Sequence, residues 1–224
     1  MSSQRHARLQ VHHVTDDRLP FAHTRAIVTA AVGAGVDVVQ LRVKGGTARE
    51  LLAQTVALSA AVAGRATFVV DDRADIVLAA RDAGARVDGV HLGQSDLPPD
   101  AARRLLGPDA VVGWTANTLP HLAAAAALPA GTLDYLGVGV IRPTTTKPDH
   151  PPALGVDGFA RLAASTPLPC IAIGGVGIDD VAPLRDAGAA GVAVVSLLSA
   201  AEDPDAAARA LRRAADAAPV GVVR

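Results

Sequence analysis

The chain has 224 residues, half of them hydrophobic, and its 21 Lys and Arg nearly balance 22 Asp and Glu. This length and composition suit a protein with a sizeable buried core and exclude a disordered chain. A net charge of -1 gives no electrostatic footprint for nucleic acid or an anionic membrane, so we expect neither as a partner. Because no apolar leader or long apolar run is present, we expect a cytoplasmic protein. The single cysteine, Cys170, lies in an apolar run and is predicted to be a buried hydrophobe rather than a nucleophile.

Eight short apolar segments predict strands. In chain order they are LQVHHV, DVVQLR, TFVV, GVHL, AVVGW, YLGVGV, CIAIGG and GVAVVS. Alanine-rich stretches with helical periodicity lie between them, among them TARELLAQTVALSAAVA, PPDAARRLL, LPHLAAAAA, GIDDVAPLRDAG and DPDAAARALRRAADAA. Eight such units of about 28 residues favour one α/β domain, residues 1–224, folded as a closed (β/α)8 TIM barrel rather than an open doubly wound sheet.

A weak internal repetition precedes every second strand. The segments AGVDVVQ, ARVDGVH, GTLDYLG and AAGVAVV each combine a small residue, a turn and the first residues of a strand. Any turn from a helix into a strand can have this composition, so the pattern is either a true repeat or an ordinary turn.

Polar residues follow the second strand at alternate positions. Gln40, Arg42 and Lys44 are spaced to lie on one side of that strand, toward the barrel interior and its mouth. The loops after the strands form the active-site face of such a barrel. Two cations and an amide at this face suit an anionic ligand.

Carboxylates follow the next two strands. Asp71 and Asp72 come after the third strand and Asp96 after the fourth, while the loop after the sixth strand carries three threonines and Lys147. Carboxylates beside cations in one mouth favour a magnesium-bound polyphosphate, because Mg²⁺ commonly uses one or two carboxylates together with phosphate oxygens. The alternative is a network of ion pairs that holds the loops.

The last two strands end in segments that favour phosphate. Gly174 and Gly175 follow the seventh strand, and Val195 and Ser196 follow the eighth. Barrels often bind phosphate at these two loops, through backbone N–H groups that glycine allows a ligand to approach. We therefore expect two anion pockets in one mouth, as two phosphorylated substrates would require.

These segments together resemble the thiamine phosphate synthases. The resemblance is carried by VVQLRVKGG, VVDDRADIVLA, GVHLGQSDLP, GVGVIRPTTTKPDHPP, AIGGV and GVAVVS, and it extends from HHVTDD to SAAEDPDAAARAL. The HLGQ-x-D and T-x-TK segments are specific, whereas the glycine motif is shared with many phosphate-binding barrels. The resemblance implies a transferase that joins a hydroxymethylpyrimidine diphosphate to a thiazole phosphate, with Mg²⁺ as cofactor and release of pyrophosphate.

The resemblance also implies a role for each matching residue. Those that would hold the pyrimidine diphosphate are Gln40, Arg42, Lys44, Asp71, Thr115 and Lys147. Those that would hold the thiazole phosphate are Thr144, Thr146, Gly175, Val195 and Ser196. The expected magnesium ligands are Asp72 and Asp96, and the residues expected to act in catalysis are Arg42, Lys44, Thr115 and Lys147.

Five residues depart from the family pattern. Asp71 replaces a usual asparagine, Thr115 a serine and Asn117 a frequent histidine, while Val140 and Arg142 replace a proline and an aromatic residue. The last two changes bear on substrate fit. An arginine at position 142 either binds an anion or lies in solvent.

Four other residues are conspicuous. His12, His13 and His91 are not spaced as a metal cluster, and the alternation around His91 favours a core histidine with satisfied hydrogen bonds. Trp114 at the end of the fifth strand either flanks a heterocycle or fills the top of the barrel.

Two other functions fit the same barrel: a thiazole tautomerase, and a non-catalytic sensor of a phosphate ligand. Asp72, Asp96 and Lys147 favour diphosphate chemistry, and Asn117 stands where a tautomerase would carry its acid–base histidine. The length and prolines of the loop over 142–152 suit a lid. The sequence is compatible with a homo-oligomer without predicting one.

Overall fold

Eight parallel strands form a closed barrel, in which each strand pairs with its neighbours in chain order and the eighth pairs with the first. This computed structural model describes residues 9–144 and 152–218. The strands are β1 (Val11–Val14), β2 (Val38–Leu41), β3 (Thr67–Asp71), β4 (Gly89–Leu92), β5 (Val111–Thr115), β6 (Tyr135–Gly139), β7 (Cys170–Ile173) and β8 (Gly191–Val194). The predicted (β/α)8 barrel is confirmed, with all eight strands at the expected segments.

Helices alternate with the strands. They are α1 (Phe21–Gly33), α2 (Ala48–Val62), α3 (Ala74–Asp82), α4 (Pro99–Leu106), α5 (Leu119–Ala126), α6 (Gly155–Ala163), α7 (Val181–Asp186), α8 (Ser196–Ser199) and α9 (Pro204–Ala217). A 3₁₀ turn, Ile178–Asp180, precedes α7 where the sequence predicted one longer helix. Pro183 explains the difference, because it cannot donate to the carbonyl four residues earlier and is tolerated only in a first helical turn. Within the described residues, no helix is both long and apolar enough to cross a membrane.

The internal repetition corresponds to a shared contact at the N-terminal ends of the strands. An aspartate directly before β2, β4 and β6 accepts a hydrogen bond from a backbone N–H near the start of the preceding strand. The three bonds run from Val11 to Asp37 (2.9 Å), from Phe68 to Asp88 (2.7 Å) and from Val112 to Asp134 (2.8 Å). Ala190 occupies the equivalent position before β8, so the fourth copy of the segment lacks the carboxylate.

Large polar rings fill the centre of the barrel. Tyr135 is 1 % exposed and stands beside His91 (ring centroids 5.5 Å apart) and His12 (5.3 Å). Glycine makes room for them: a Cβ added to Gly113 would lie 2.2 Å from Tyr135 Cζ and 2.6 Å from His91 Nδ1. Small residues on β5 are therefore required by the rings that its neighbours direct inward.

We expect Asp37→Ala to lower the free energy of unfolding by about 1–3 kcal/mol, the cost of leaving buried hydrogen-bond donors without an acceptor. The Asp37 carboxylate accepts from the backbone of Gln10 and Val11 and from the Arg212 guanidinium. Urea denaturation followed by circular dichroism measures the change.

Asp205→Ala is the matched control. Asp205 also pairs with an arginine, Arg209, but both side chains are largely exposed on α9, and such pairs contribute little to stability. Its urea midpoint should stay close to that of the parent protein. Equal midpoints for the two variants would contradict the role given to Asp37.

Candidate active site

A cavity of about 410 Å³ opens at the C-terminal ends of the strands. Its lining includes twelve of the residues predicted from the sequence: Gln40, Arg42, Lys44, Asp71, Asp72, Asp96, Thr115, Thr144, Gly174, Gly175, Val195 and Ser196. Two further predicted residues, Thr146 and Lys147, lie outside the described residues, as does most of the loop predicted to be a lid. The barrel thus brings together side chains from strands that are far apart in sequence.

Lys44 links the two consecutive aspartates at the C-terminal end of β3, Asp71 and Asp72. Its Nζ lies 2.8 Å from Asp71 Oδ2 and 2.5 Å from Asp72 Oδ2. Burial opposes the charge on Lys44, but the two carboxylates outweigh burial and raise the pKa of the ammonium. Gln40 completes the group, since its Nε2 donates to Asp71 Oδ1 at 2.7 Å. Lys44 is therefore charged and fixed at the wall of the cavity.

Asp72 has an unusual backbone conformation. Its φ is +63°, a region that residues other than glycine seldom adopt. The backbone N–H of Asp72 donates to His91 O at 2.7 Å, which ties the turn to β4. Strained residues of this kind concentrate at functional sites, because surrounding contacts must hold them in place.

Asp96 lies beside Asp72 at the acidic edge of the cavity. Its Oδ2 accepts a hydrogen bond from the Gly93 N–H at 2.7 Å. Burial, then a hydrogen bond with the Asp72 carboxyl and its charge, raise the pKa of Asp96, while the Gly93 N–H and the charge of Lys44 partly offset them. The two carboxyl groups are thus close enough to interact directly at this edge.

The donor set of this edge fits magnesium. Mg²⁺ commonly takes one or two carboxylates and completes its shell with water and substrate phosphate oxygens, and Asp72 and Asp96 supply such a pair. Among residues 9–144 and 152–218, no group of three or more His, Cys, Asp or Glu side chains could hold a metal by itself.

The alternative of an ion-pair network is also present in the geometry. Besides the pairs of Lys44, the Arg42 guanidinium lies 3.1 Å from Asp17 Oδ1. Asp17 also accepts from the Lys44 backbone N–H at 3.0 Å, so it holds this segment at two points. Asp17 was not predicted from the sequence, although the acidic pair that ends HHVTDD, shortly after β1, was a signal for it.

The glycines after β7 form the opposite wall. Gly174 and Gly175 have φ values of +94° and +67°. A Cβ on Gly175 would lie 2.8 Å from Arg142 O and 2.9 Å from Pro143 O. Only glycine combines this backbone conformation with so close an approach to the segment after β6.

Arg142 pairs with a carboxylate from the loop after β7. Its guanidinium forms a bidentate pair with Asp180, with Nε 3.0 Å from both carboxylate oxygens and Nη2 2.5 Å from Oδ1. The hydrogen bonds from Arg142 hold the pKa of the Asp180 carboxyl below its usual range. Asp180 is 6 % exposed and also accepts from Gly177 N at 2.9 Å. The pair therefore joins the loop after β6 to the loop after β7.

Thr115 is held from the barrel interior. His91 Nε2 lies 3.0 Å from Thr115 Oγ1, and His91 Nδ1 lies 3.1 Å from the Tyr135 hydroxyl. His91 is thus hydrogen-bonded as the sequence predicted, but it also lines the cavity. Its position was assigned to the core because strand alternation does not distinguish the middle of a barrel from its mouth.

Known proteins are similar to this chain over most of its length. A family profile described as "Thiamine monophosphate synthase" matches residues 11–198. The chain belongs to that family. The thiamine-phosphate synthase of Corynebacterium efficiens is 47 % identical over 84 % of this chain and 87 % of its own, and that of Albidiferax ferrireducens is 44 % identical over 93 % of each. A solved structure of thiamine phosphate pyrophosphorylase from Pyrococcus furiosus has a TM-score of 0.80 at 30 % identity, covering 94 % of this chain and 97 % of that one.

Membership in the thiamine monophosphate synthase family confirms the resemblance seen in the sequence. At one departure from the family pattern, Asn117 Oδ1 accepts from Gly139 N at 3.0 Å, so the asparagine supports the end of β6. The backbone N–H of Asn117 donates to His121 Nδ1 at 3.2 Å. Val140, another departure, lines the cavity and would meet a Cβ on Gly174 at 2.7 Å.

Two residues considered from the sequence lie away from the chemistry. Trp114 is buried in the apolar layer that contains the helices, and its Nε1 donates to Gly93 O at 3.0 Å. It therefore neither flanks a ligand nor fills the barrel interior. Cys170 is buried, and burial raises the pKa of its thiol to about 12, which agrees with a structural role.

We expect Gly175→Ala to weaken binding of thiazole phosphate by tenfold or more and to leave binding of magnesium pyrophosphate within twofold. The added Cβ would collide with the backbone of Arg142 and Pro143, displacing the wall opposite the acidic edge. Isothermal titration calorimetry with each ligand alone separates the two effects.

Gly177→Ala is the matched control. Gly177 has a φ of -102°, and among residues 9–144 and 152–218 the nearest atom to a Cβ there would be Asp180 Oδ2, at an ordinary 3.6 Å. Both affinities should be preserved in this variant. Equal losses for the two ligands in Gly175→Ala would mean that the cavity has one shared anion pocket.

Proposed function

We propose that this enzyme condenses 4-amino-2-methyl-5-hydroxymethylpyrimidine diphosphate with a thiazole phosphate, giving thiamine phosphate and pyrophosphate. The observation that carries the proposal is the distribution of charge in one cavity. Arg42, Lys44, Asp72 and Asp96 occupy one side, and the glycine turn at Gly174–Gly175 occupies the other. Family membership and the names of the relatives support the same reaction.

The proposed chemistry is a dissociative substitution. The bond between the pyrimidine methylene carbon and the diphosphate oxygen breaks, and its electron pair leaves with pyrophosphate. The thiazole ring nitrogen then supplies the electron pair of the new carbon–nitrogen bond. No protein nucleophile is required, which agrees with a cavity that presents cations and hydroxyls and with a buried Cys170.

The side chains assist by stabilising charge. Negative charge grows on the departing oxygen, and fixed cations such as Arg42 and Lys44 lower the barrier because they need not reorganise as the charge develops. Gln40 and Asp71 support Lys44 in that position. Thr115 adds a hydroxyl at the cavity wall.

Magnesium is part of the proposal, with Asp72 and Asp96 as its protein ligands. When bound, Mg²⁺ would neutralise diphosphate oxygens and so make pyrophosphate a better leaving group. The presence of both carboxylates in the lining of the same cavity supports this assignment.

The pyrimidine and thiazole phosphates would be the partners of this protein, with no nucleic acid and no membrane among them. We infer a cytoplasmic location, because phosphorylated intermediates of this kind are made and used inside the cell. The whole chain, residues 1–224, is inferred to act as one domain, and a homo-oligomer is compatible with that inference.

We expect Asp96→Asn to raise the Mg²⁺ concentration needed for half-maximal activity and to lower turnover by about 10²-fold, the scale seen when one electrostatic stabiliser is lost. Asparagine can still accept the Gly93 N–H, so the fold should persist. Pyrophosphate and thiamine phosphate are followed together over a series of Mg²⁺ concentrations.

Asp100→Asn provides the matched control, because Asp100 pairs with exposed Arg104 on α4 and is not among the residues that line the cavity. Its Mg²⁺ dependence should match that of the parent enzyme. An unchanged Mg²⁺ dependence in Asp96→Asn would remove Asp96 from the metal site. Pyrophosphate release without thiamine phosphate in the parent enzyme would instead point to a different acceptor.

We expect Lys147→Ala to slow the chemical step by about 10²-fold while changing substrate affinity little. An ammonium that meets the diphosphate mainly as charge builds would stabilise the transition state more than the bound substrate, and the loss would appear in kcat. Single-turnover kinetics at saturating substrates measure this step.

Arg209→Ala, which removes an exposed cation on α9, controls for loss of charge in general. An unchanged chemical step in Lys147→Ala would exclude Lys147 from catalysis. A tautomerase or a sensor would tolerate the change and would be indifferent to Mg²⁺.

A further inference from the structure

A hydrogen-bonded chain runs from the barrel centre to the cavity wall. It begins at the Tyr135 hydroxyl, passes through both ring nitrogens of His91 at 3.1 and 3.0 Å, and ends at Thr115 Oγ1. The three side chains belong to the adjacent strands β6, β4 and β5. Tyr135 pairs in register with Gly113, which pairs with His91. The backbone therefore sets the spacing of the chain.

The tyrosine determines which atom donates in each of these hydrogen bonds. Tyr135 is 1 % exposed, and a buried hydroxyl hydrogen without an acceptor is costly. Within the described residues, the hydrogen-bond partner found for this hydroxyl is His91 Nδ1. Burial, and next the charges of Asp71 and Asp134, raise the pKa of the phenol. The Tyr135 phenol therefore stays protonated and is the donor in its hydrogen bond to His91 Nδ1.

Donation from Tyr135 determines which nitrogen of His91 carries hydrogen. With Nδ1 accepting, the neutral imidazole carries its hydrogen on Nε2. Nε2 then donates to Thr115 Oγ1. The hydroxyl hydrogen of Thr115 must point away from His91, and Thr115 is a partly exposed residue that lines the cavity.

The ring of His91 has little freedom to turn away from this arrangement. It stacks on Tyr135 with an angle of 24° between the ring planes. On its other edges it meets two glycines, since a Cβ on Gly113 would lie 2.6 Å from Nδ1 and one on Gly137 would lie 3.1 Å from Cε1. Close packing thus fixes the ring, and the tyrosine fixes its tautomer.

We propose that Tyr135 and His91 are positioning residues that orient the Thr115 hydroxyl as a hydrogen-bond donor into the cavity. The consequence is that the cavity prefers a ligand with a hydrogen-bond acceptor atom next to Thr115. This consequence, and not the arrangement of the side chains, rests on the proposed function. A ring nitrogen without hydrogen, or a phosphate oxygen, has that chemistry. The arrangement of the three side chains itself concerns the enzyme without ligand.

The direct test is the tautomer of His91. A long-range ¹H–¹⁵N spectrum of the ligand-free enzyme, labelled at the histidine rings, distinguishes hydrogen on Nε2 from hydrogen on Nδ1. The signals of His91 are assigned from their loss in His91→Gln. We expect the Nε2–H form in the parent enzyme and a growing Nδ1–H population in Tyr135→Phe, which keeps the ring and removes the hydroxyl. An Nδ1–H form in the parent enzyme would overturn the proposal, and this outcome does not depend on any variant folding.

The kinetic test is a double-mutant cycle between Tyr135→Phe and Thr115→Val. Tyr135→Phe should lower kcat/KM for the pyrimidine diphosphate by about three- to tenfold, the scale of one hydrogen bond, and leave the KM for thiazole phosphate within twofold. In the Thr115→Val background, the same change should have no further effect, because the hydroxyl it orients is gone. Additive losses in the cycle would refute action through Thr115.

Thr55→Val is the matched control for loss of a buried hydroxyl. Thr55 donates to Leu51 O at 2.7 Å within α2, away from the cavity. This variant should lose stability comparable to Tyr135→Phe and keep both kinetic constants. If the enzyme shows no synthase activity while His91 carries hydrogen on Nε2, the proposed function fails and the positioning role stands.

Discussion

The interior of a closed barrel has to be filled, and in this protein polar rings fill it. Tyr135, His91 and His12 meet at the centre, and Gly113 and Gly137 make the room that they need. A purely aliphatic interior would give an equally dense core. The rings add hydrogen-bonding groups directly beneath the cavity, so the packing that closes the barrel also sets the polarity of its floor. Burial keeps His12 neutral, because desolvation and then the nearby His91 lower its pKa to about 3.

Above that floor, the charges of the cavity are separated by the strand order. β2, β3 and β4 are neighbours, and they bring Arg42, Lys44, Asp71, Asp72 and Asp96 to one side. β7 and β8 are neighbours on the other side, where the lining residues carry no charge. The parallel, consecutive arrangement therefore separates a charged half of the mouth from an uncharged half that contains the glycine turn. Both halves are built from local groups and do not need an electrostatic field from the whole protein, which agrees with a net charge of -1.

Much of this site could be predicted from the sequence because its residues follow strands. The alternation of polar residues from β2 onward and the acidic residues at the ends of β3 and β4 are local patterns. They identified residues that line the cavity. The partner of Arg142 could not be found in this way, since Asp180 lies 38 residues further along the chain. The position of Trp114 was predicted wrongly because successive residues of a strand point alternately to the barrel interior and to the helices. His91 was recognised as hydrogen-bonded, but its contact with Thr115 depends on how two strands pair.

Loops on barrel enzymes are commonly treated as modules that can be exchanged one at a time, with the strands as a constant frame. The pair between Arg142 and Asp180 sets a limit to that view in this protein. Gly175 also fits against the backbone of Arg142 and Pro143, so the loops after β6 and β7 touch through both side chain and main chain. The two loops therefore have to be exchanged together. A chimera that takes either loop from a relative would have to take the other with it, and natural variation at positions 142 and 180 should be correlated for the same reason.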